Sequence, residues 1–202
     1  MARVRTAVLL SGRGSNLKSL IAAAQAADFS AEIALVISNV ENAGGLDVAR
    51  ASGIPTAAIS HREFDSREDF DRAMDAALRE AGIELVCEAG FMRIHSDWFA
   101  REWQGKLLNI HPSLLPAFKG IRVHQQALDA GVKISGCTVH FIVAELDSGP
   151  IIAQASVPVL PGDTAESLAA RVLEKEHKLY PHALQLVAEG KVKLESGRAV
   201  FV

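Results

Sequence analysis

The sequence predicts an α/β fold: a mostly parallel twisted sheet flanked by helices, finished by a β pair and a long helix. Three observations carry this expectation. The runs TAVLLS, AEIALVIS and ELVCEAG are apolar almost throughout, as strands are when both faces of a sheet are covered. Between them lie stretches such as the one after Asp65, where Phe70, Met74 and Leu78 recur at the spacing of one helix face. Strands and helices therefore alternate, the order of a parallel sheet with crossover helices.

Each element has its own justification. TAVLLS is a strand, GRGSN a turn, and LKSLIAAAQAA a helix with Leu17, Leu20 and Ile21 on one side. AEIALVIS follows as a strand, then a helix around GLDVARASG, a short strand PTAAIS, and the helix after Asp65. ELVCEAG and KLLNI are further apolar runs, each ending in a polar or glycine-bearing loop. Past residue 130, KISGCTVHFIVAELDSGPIIAQASVPVL supplies two β-rich runs split by Asp147-Ser148-Gly149-Pro150, expected as a hairpin-type pair added to the sheet. Asp163 with Glu166 has the spacing of a capping box for a long helix, which Pro181 is expected to break or kink. VKL and AVFV are placed to pair as a terminal hairpin. No repeat, low-complexity tract or linker interrupts the chain, so a single domain over 1–202 is expected.

Composition narrows the function. At 202 residues, with 49% hydrophobic and 22% charged residues, the chain can build one substantial core. Its formal net charge of -3, with 21 scattered Lys and Arg, gives no basic face for nucleic acid. The first apolar run is only about five residues long, too short for a signal segment or a membrane span, and a cytoplasmic protein is expected. Cys87 and Cys137 lie singly in apolar runs and read as buried thiols rather than a disulfide or metal site.

Two stretches carry chemistry. SGRGSN joins the first strand to the first helix, where backbone N–H groups and the helix dipole converge on an anion. Gly12-x-Gly14-x-x-Leu17 lacks the third glycine of a dinucleotide fingerprint, Asn39 stands near the place of the ribose-binding acid, and no Gly-Lys-Ser/Thr follows. The loop therefore suits a monophosphate, or is only a tight connection. In NIHPSLLP, Asn109 and His111 are two residues apart at a strand end and point the same way if the backbone is extended. Asp147 in ELDSGP is a third candidate, although turn chemistry alone would account for it. An amide and an imidazole can hold a developing oxyanion, and a carboxylate can orient the imidazole and relay protons. Ser113 lacks a nucleophile elbow, and His111, His124 and His140 lack HExxH spacing, so neither a serine hydrolase nor a metal site is favoured.

SGRGSNL, AGFMRI, LLNIHPSLLPAFKG, and GCTVHF followed by ELDSGPII together closely resemble the glycinamide ribonucleotide formyltransferases, in order and over residues 5–187. The resemblance implies a formyltransferase fold, with a Rossmann-like half (1–100) binding the ribonucleotide phosphate and a second half (101–202) holding the catalytic and folate sites. It implies that Asn109, His111 and Asp147 are catalytic, and that Gly14, Ser15, Asn16 and Glu176 hold the ribonucleotide. Arg67, Met92, Arg93, Ile94 and Val143, with Asn109 and Asp147, would line the folate site, and His140 would support it. The implied co-substrate is 10-formyltetrahydrofolate, with no metal, no nucleic acid and no membrane, in a monomer or homodimer. Two positions depart from the family's pattern: Glu88, where an apolar residue is usual, and His95, where a leucine is common. Either could alter folate contacts, and replacement of Glu88 is expected to be tolerated.

The implied reaction is attack of the glycinamide ribonucleotide amine on the formyl carbon. The alternative is formyltetrahydrofolate hydrolase, in which water takes the formyl group; that family normally carries an extra domain ahead of the catalytic part. Methionyl-tRNA formyltransferase usually has a further carboxyl-terminal domain and is less favoured.

Overall fold

The first strand, β1 (Val4–Leu10), sends Ala7 and Leu9 to one face of the sheet and Val8 and Leu10 to the other, and all four are fully buried. That is the consequence of a strand covered on both sides, and it accounts for its lack of polar alternation. The computed structural model describes residues 2–202. After β1 come α1 (Ser15–Ala24), β2 (Ala31–Ser38), α2 (Gly44–Ala51), β3 (Thr56–Ala58), α3 (Arg67–Glu80), β4 (Leu85–Glu88), α4 (Asp97–Glu102) and β5 (Leu107–His111). The remainder is α5 (Val123–Asp129), β6 (Ile134–Phe141), β7 (Ile151–Pro158), α6 (Ala165–Ala188), β8 (Val192–Glu195) and β9 (Arg198–Phe201).

The main sheet has the order β3-β2-β1-β4-β5-β6-β7. The first five are parallel neighbours, while β5 with β6 and β6 with β7 are antiparallel, which is the β pair expected from the sequence. β8 and β9 form the separate terminal hairpin. One face of the sheet packs on α1, α2 and α6 through Leu17, Leu20, Leu46, Tyr180 and Leu184. The other packs on α3 and α4 through Phe70, Met74, Leu78 and Phe99. Both cysteines are buried free thiols. Strand order reverses between β1 and β4, and in such sheets ligands collect beyond the carboxyl ends of the strands at this point.

Three local expectations are corrected. α6 runs unbroken through Pro181. The N–H lost at the proline is outweighed by packing: Tyr180, Ala183 and Leu184 are fully buried, and the Tyr180 hydroxyl bridges the carbonyls of Glu88 and Leu108 at 2.9 and 3.1 Å. The capping box lies one residue later than expected, between Thr164 and Ser167. Asp163 instead holds Arg171 at 2.7 Å and accepts from the Leu160 N–H, which keeps its carboxyl well below the usual range. The short helices α4 and α5 were not anticipated, being too brief for a periodic pattern.

Candidate active site

Asn109 is opposite Glu88 of β4 on one side and opposite His140 of β6 on the other, so the three form a row across the carboxyl end of the sheet. Alternation along β5 puts His111 on the same face as Asn109. Above this row opens a cavity of about 540 Å³. Of the residues singled out from the sequence, Asn16, Met92, Arg93, Ile94 and Asn109 line it. So do His111, His140, Val143, Asp147 and Glu176. Gly14 and Ser15 lie behind its wall, and Arg67, exposed at the start of α3, is outside it.

The hydrogen bonds fix which groups are free. Burial lowers the His140 pKa, so its ring is neutral at pH 7, and the Nδ1–H donates to the Phe141 carbonyl at 2.9 Å. Its Nε2 is therefore an acceptor, and takes one N–H of the Asn109 amide at 3.2 Å. The other N–H of that amide is left for the cavity. His111 donates from Nε2 to the Phe118 carbonyl at 2.9 Å, which sets the plane of the ring. Its Nδ1 stands 3.5 Å from Asp147 Oδ1, near enough for charge coupling but longer than a settled hydrogen bond. Asp147 is held through Oδ2 by the Gly120 N–H at 2.8 Å.

Backbone strain collects around these groups. Phe118, Arg122 and Asp147 all have left-handed φ, at 55°, 56° and 47°. For residues with a Cβ this is costly, and it persists where the surroundings over-determine it. Gly149 shows what brings Asp147 into place: a Cβ there would lie 1.7 Å from the Phe141 carbonyl oxygen, so only glycine lets the turn close onto β6.

The glycine loop is equally tight. Gly14 has φ 76°, and a Cβ on it would meet the Cα of Gly45 at 2.7 Å, so the loop is pressed onto the start of α2. Asn39, noted in the sequence for what it is not, accepts from the Ser11 hydroxyl at 2.6 Å. Ser11 in turn accepts from the Met92 N–H at 2.8 Å, tying the loop to AGFMRI. On the cavity side the Asn16 amide donates to Glu176 at 2.7 Å and joins α1 to α6, while Asn16 Oδ1 is buried without a partner. Burial raises the Glu176 pKa against the pull of that amide.

Further residues line the cavity to which the sequence assigned no substrate role. His124 reaches the cavity with a buried, unpartnered Nδ1, and burial with the neighbouring His111 lowers its pKa. Ile121 and Leu146 join Met92 and Ile94 as an apolar rim, 73%, 48%, 70% and 51% exposed. Exposed Ile and Leu in loops give no periodic signal. Among the described residues no group of three or more His, Cys, Asp or Glu is placed to hold a metal.

The two departures prove to be one feature. His95 bridges Glu88 through Nε2 and Asp71 through Nδ1, the latter at 3.0 Å, and the ring stacks between Phe91 and Phe99 with centroids 5.4 and 4.3 Å away.

A switch-point crevice with an amide donor, an imidazole and a carboxylate, and no elbow serine, defines an α/β protein equipped to move a carbonyl group. Residues 4–184 match the Formyl transferase family, and the chain belongs to it. It is 43% identical over 192 residues to a phosphoribosylglycinamide formyltransferase of Escherichia coli (strain K12), covering 95% of this chain and 91% of that protein. It is 53% identical to the trifunctional purine biosynthetic protein adenosine-3 of Bos taurus, covering 99% of this chain but 20% of that protein, about a fifth of its length. A glycinamide ribonucleotide transformylase 1 from Symbiobacterium toebii superposes with a TM-score of 0.96 at 43% identity, over 99% of this chain and 94% of that one. A formyltetrahydrofolate deformylase from Pseudomonas syringae pv. tomato str. DC3000 has a TM-score of 0.90 at 26% identity, over 98% of this chain and 66% of that one.

Proposed function

We propose that the chain transfers the formyl group of 10-formyltetrahydrofolate to the amine of glycinamide ribonucleotide, giving formylglycinamide ribonucleotide and tetrahydrofolate in purine synthesis. The observation that carries this reading is the Asn109 N–H left free beside an imidazole coupled to Asp147, in a cavity with an apolar rim. Such a cavity suits an aromatic donor with a few polar anchors.

In the proposed reaction the amine lone pair attacks the formyl carbon and its π electrons move onto oxygen. The free Asn109 N–H donates to that oxyanion. His111, in its protonated form and facing Asp147, stabilises it through Nδ1, the ring nitrogen not committed to Phe118. Collapse of the intermediate breaks the bond from carbon to the folate nitrogen. The leaving nitrogen takes a proton from His111, and Asp147 with water passes the proton lost by the amine back to the imidazole. His140 acts by fixing the amide.

Residues 1–100 would hold the ribonucleotide phosphate at Gly14 and Ser15, with Asn16 and Glu176 toward the rest of the nucleotide. Residues 101–202 would supply catalysis and, with Met92, Arg93 and Ile94, the folate wall including Val143. Arg67 is available only to a part of the donor extending beyond the cavity. Small molecules are the partners in this reading, in the cytoplasm, with the chain a monomer or homodimer. Among the described residues no helix is long and apolar enough to cross a membrane.

The test is an assay with 10-formyltetrahydrofolate, with and without glycinamide ribonucleotide. The proposal expects formyl loss to depend on the ribonucleotide and to match formylated product one for one. Equal loss in both tubes would establish the hydrolase instead.

A further inference from the structure

Glu88 is one of the carboxylates on the wall of the cavity, with Glu145, Asp147 and Glu176. It ends β4, is 6% exposed, lines the cavity, and shares the row with Asn109 and His140. Leu85, Val86 and Cys87 before it and Phe91, Met92 and Ile94 after it are uncharged, and the one cation among residues 85–94, Arg93, lines the same cavity. Its partner is His95, itself part of the lining: Oε1 is bonded to His95 Nε2, and Oε2 makes no hydrogen bond to any described residue.

The rear of the arrangement is saturated. Both ring nitrogens of His95 face carboxylates, so both carry protons, and the ring is clamped between two phenylalanines. Asp71, fully buried, accepts from His95 and from the Ser96 N–H. Glu88 thus has one oxygen anchored to His95 and one without a hydrogen bond, on a residue that lines the cavity.

Stability does not account for this trio. Buried charged groups are commonly matched or bettered by apolar residues of the same volume, because desolvation offsets their attraction. A carboxylate retained at a cavity wall, with a fixed and unpartnered oxygen, has the form of a recognition group.

We propose that Glu88 is a specificity-determining acceptor for a ligand edge bearing N–H groups, and that His95 and Asp71 are the residues that position it. On the formyltransferase reading of the site, on which this rests, that edge is the 2-amino and N3–H side of the donor's pterin. A ring presenting a carbonyl or a bare nitrogen there would meet the carboxylate oxygen with its own lone pairs and be rejected.

The experiment compares Kd values for 10-formyl-5,8-dideazafolate and its 2-desamino counterpart, by calorimetry, in wild type, Glu88→Gln and the double variant Glu88→Leu with His95→Leu. Thermal melts check that each variant is folded, and the isosteric glutamine serves if the double variant is not. In wild type, losing the 2-amino group should weaken binding roughly tenfold to a hundredfold, as expected for a hydrogen bond to a charged group. That ratio should shrink in Glu88→Gln and approach one in the double variant. A ratio that is the same in all three proteins overturns the role of Glu88 while leaving the formyltransferase reading intact. Failure of wild type to bind either analogue overturns both.

Discussion

Two histidines of this protein stand beside carboxylates, one in the segment between β4 and α4 and the other at the end of β5, and they are built in opposite ways. His95 is closed in: each nitrogen has a carboxylate, each ring face a phenylalanine, and its side chain is 4% exposed. His111 is as buried, at 6%, but its carboxylate stands off at 3.5 Å and its holding loops are strained at Phe118, Arg122 and Asp147. Burial is therefore not what separates the two imidazoles. The difference is whether a donor or acceptor remains unspent on the cavity side, as it does at Asn109 and His111 and, in the closed cluster, only at one oxygen of Glu88.

Removing the closed histidine should have the largest effect, and on folding. His95→Leu would leave Glu88 and Asp71 buried without their cation, at a cost of about 3–5 kcal/mol, read as a lower urea midpoint. A midpoint within error of wild type would mean that the closed cluster carries no ion pair. The open cluster should respond in rate instead. Asn109→Ala is expected to lower kcat by about 10²-fold, near 2.7 kcal/mol, with little change in either substrate's affinity, because an oxyanion donor acts mainly in the transition state. Near-normal turnover would remove the amide from the mechanism.

The closed cluster should also show in the pH dependence of stability. Burial opposes the charge on His95, but Glu88 and Asp71 outweigh it and raise its pKa to about 9. A raised pKa means that the folded state holds a proton the unfolded state has lost. The stability from His95 is thus complete below about pH 6.5 and lost as pH rises through about 9. Glu88, raised by burial despite His95 and further by Asp71 and Asp147, acts in the same direction. Urea midpoints should fall between pH 6.5 and 9, and a flat profile would contradict the account of the closed cluster.

The open cluster was far more legible in the sequence than the closed one. Period-two alternation puts Asn109 and His111 on one face, whereas Asp147 stands out only through the resemblance, since turn chemistry alone would account for Asp147-Ser148-Gly149-Pro150. Asp71 gave no such sign. It sits on α3 beside Phe70, where helical spacing predicts the apolar stripe, and it meets His95 only through tertiary packing from 24 residues away. Glu88 and His95 registered as two separate departures, since nothing local says that they touch. Pro181 does not end α6 for a related reason: propensity weighs one lost hydrogen bond, and the burial of Tyr180 and Leu184 that outweighs it belongs to the whole fold.

The central claim is that His111 and Asp147 work as one unit although 3.5 Å separates them in this structure. The direct measurement is kcat for His111→Ala, Asp147→Asn and the double variant, each checked for folding by circular dichroism. Residues acting together are strongly non-additive, so the account predicts that Asp147→Asn costs much less in the His111→Ala background than in wild type. Rate losses that multiply fully would show the two groups acting independently and would contradict it.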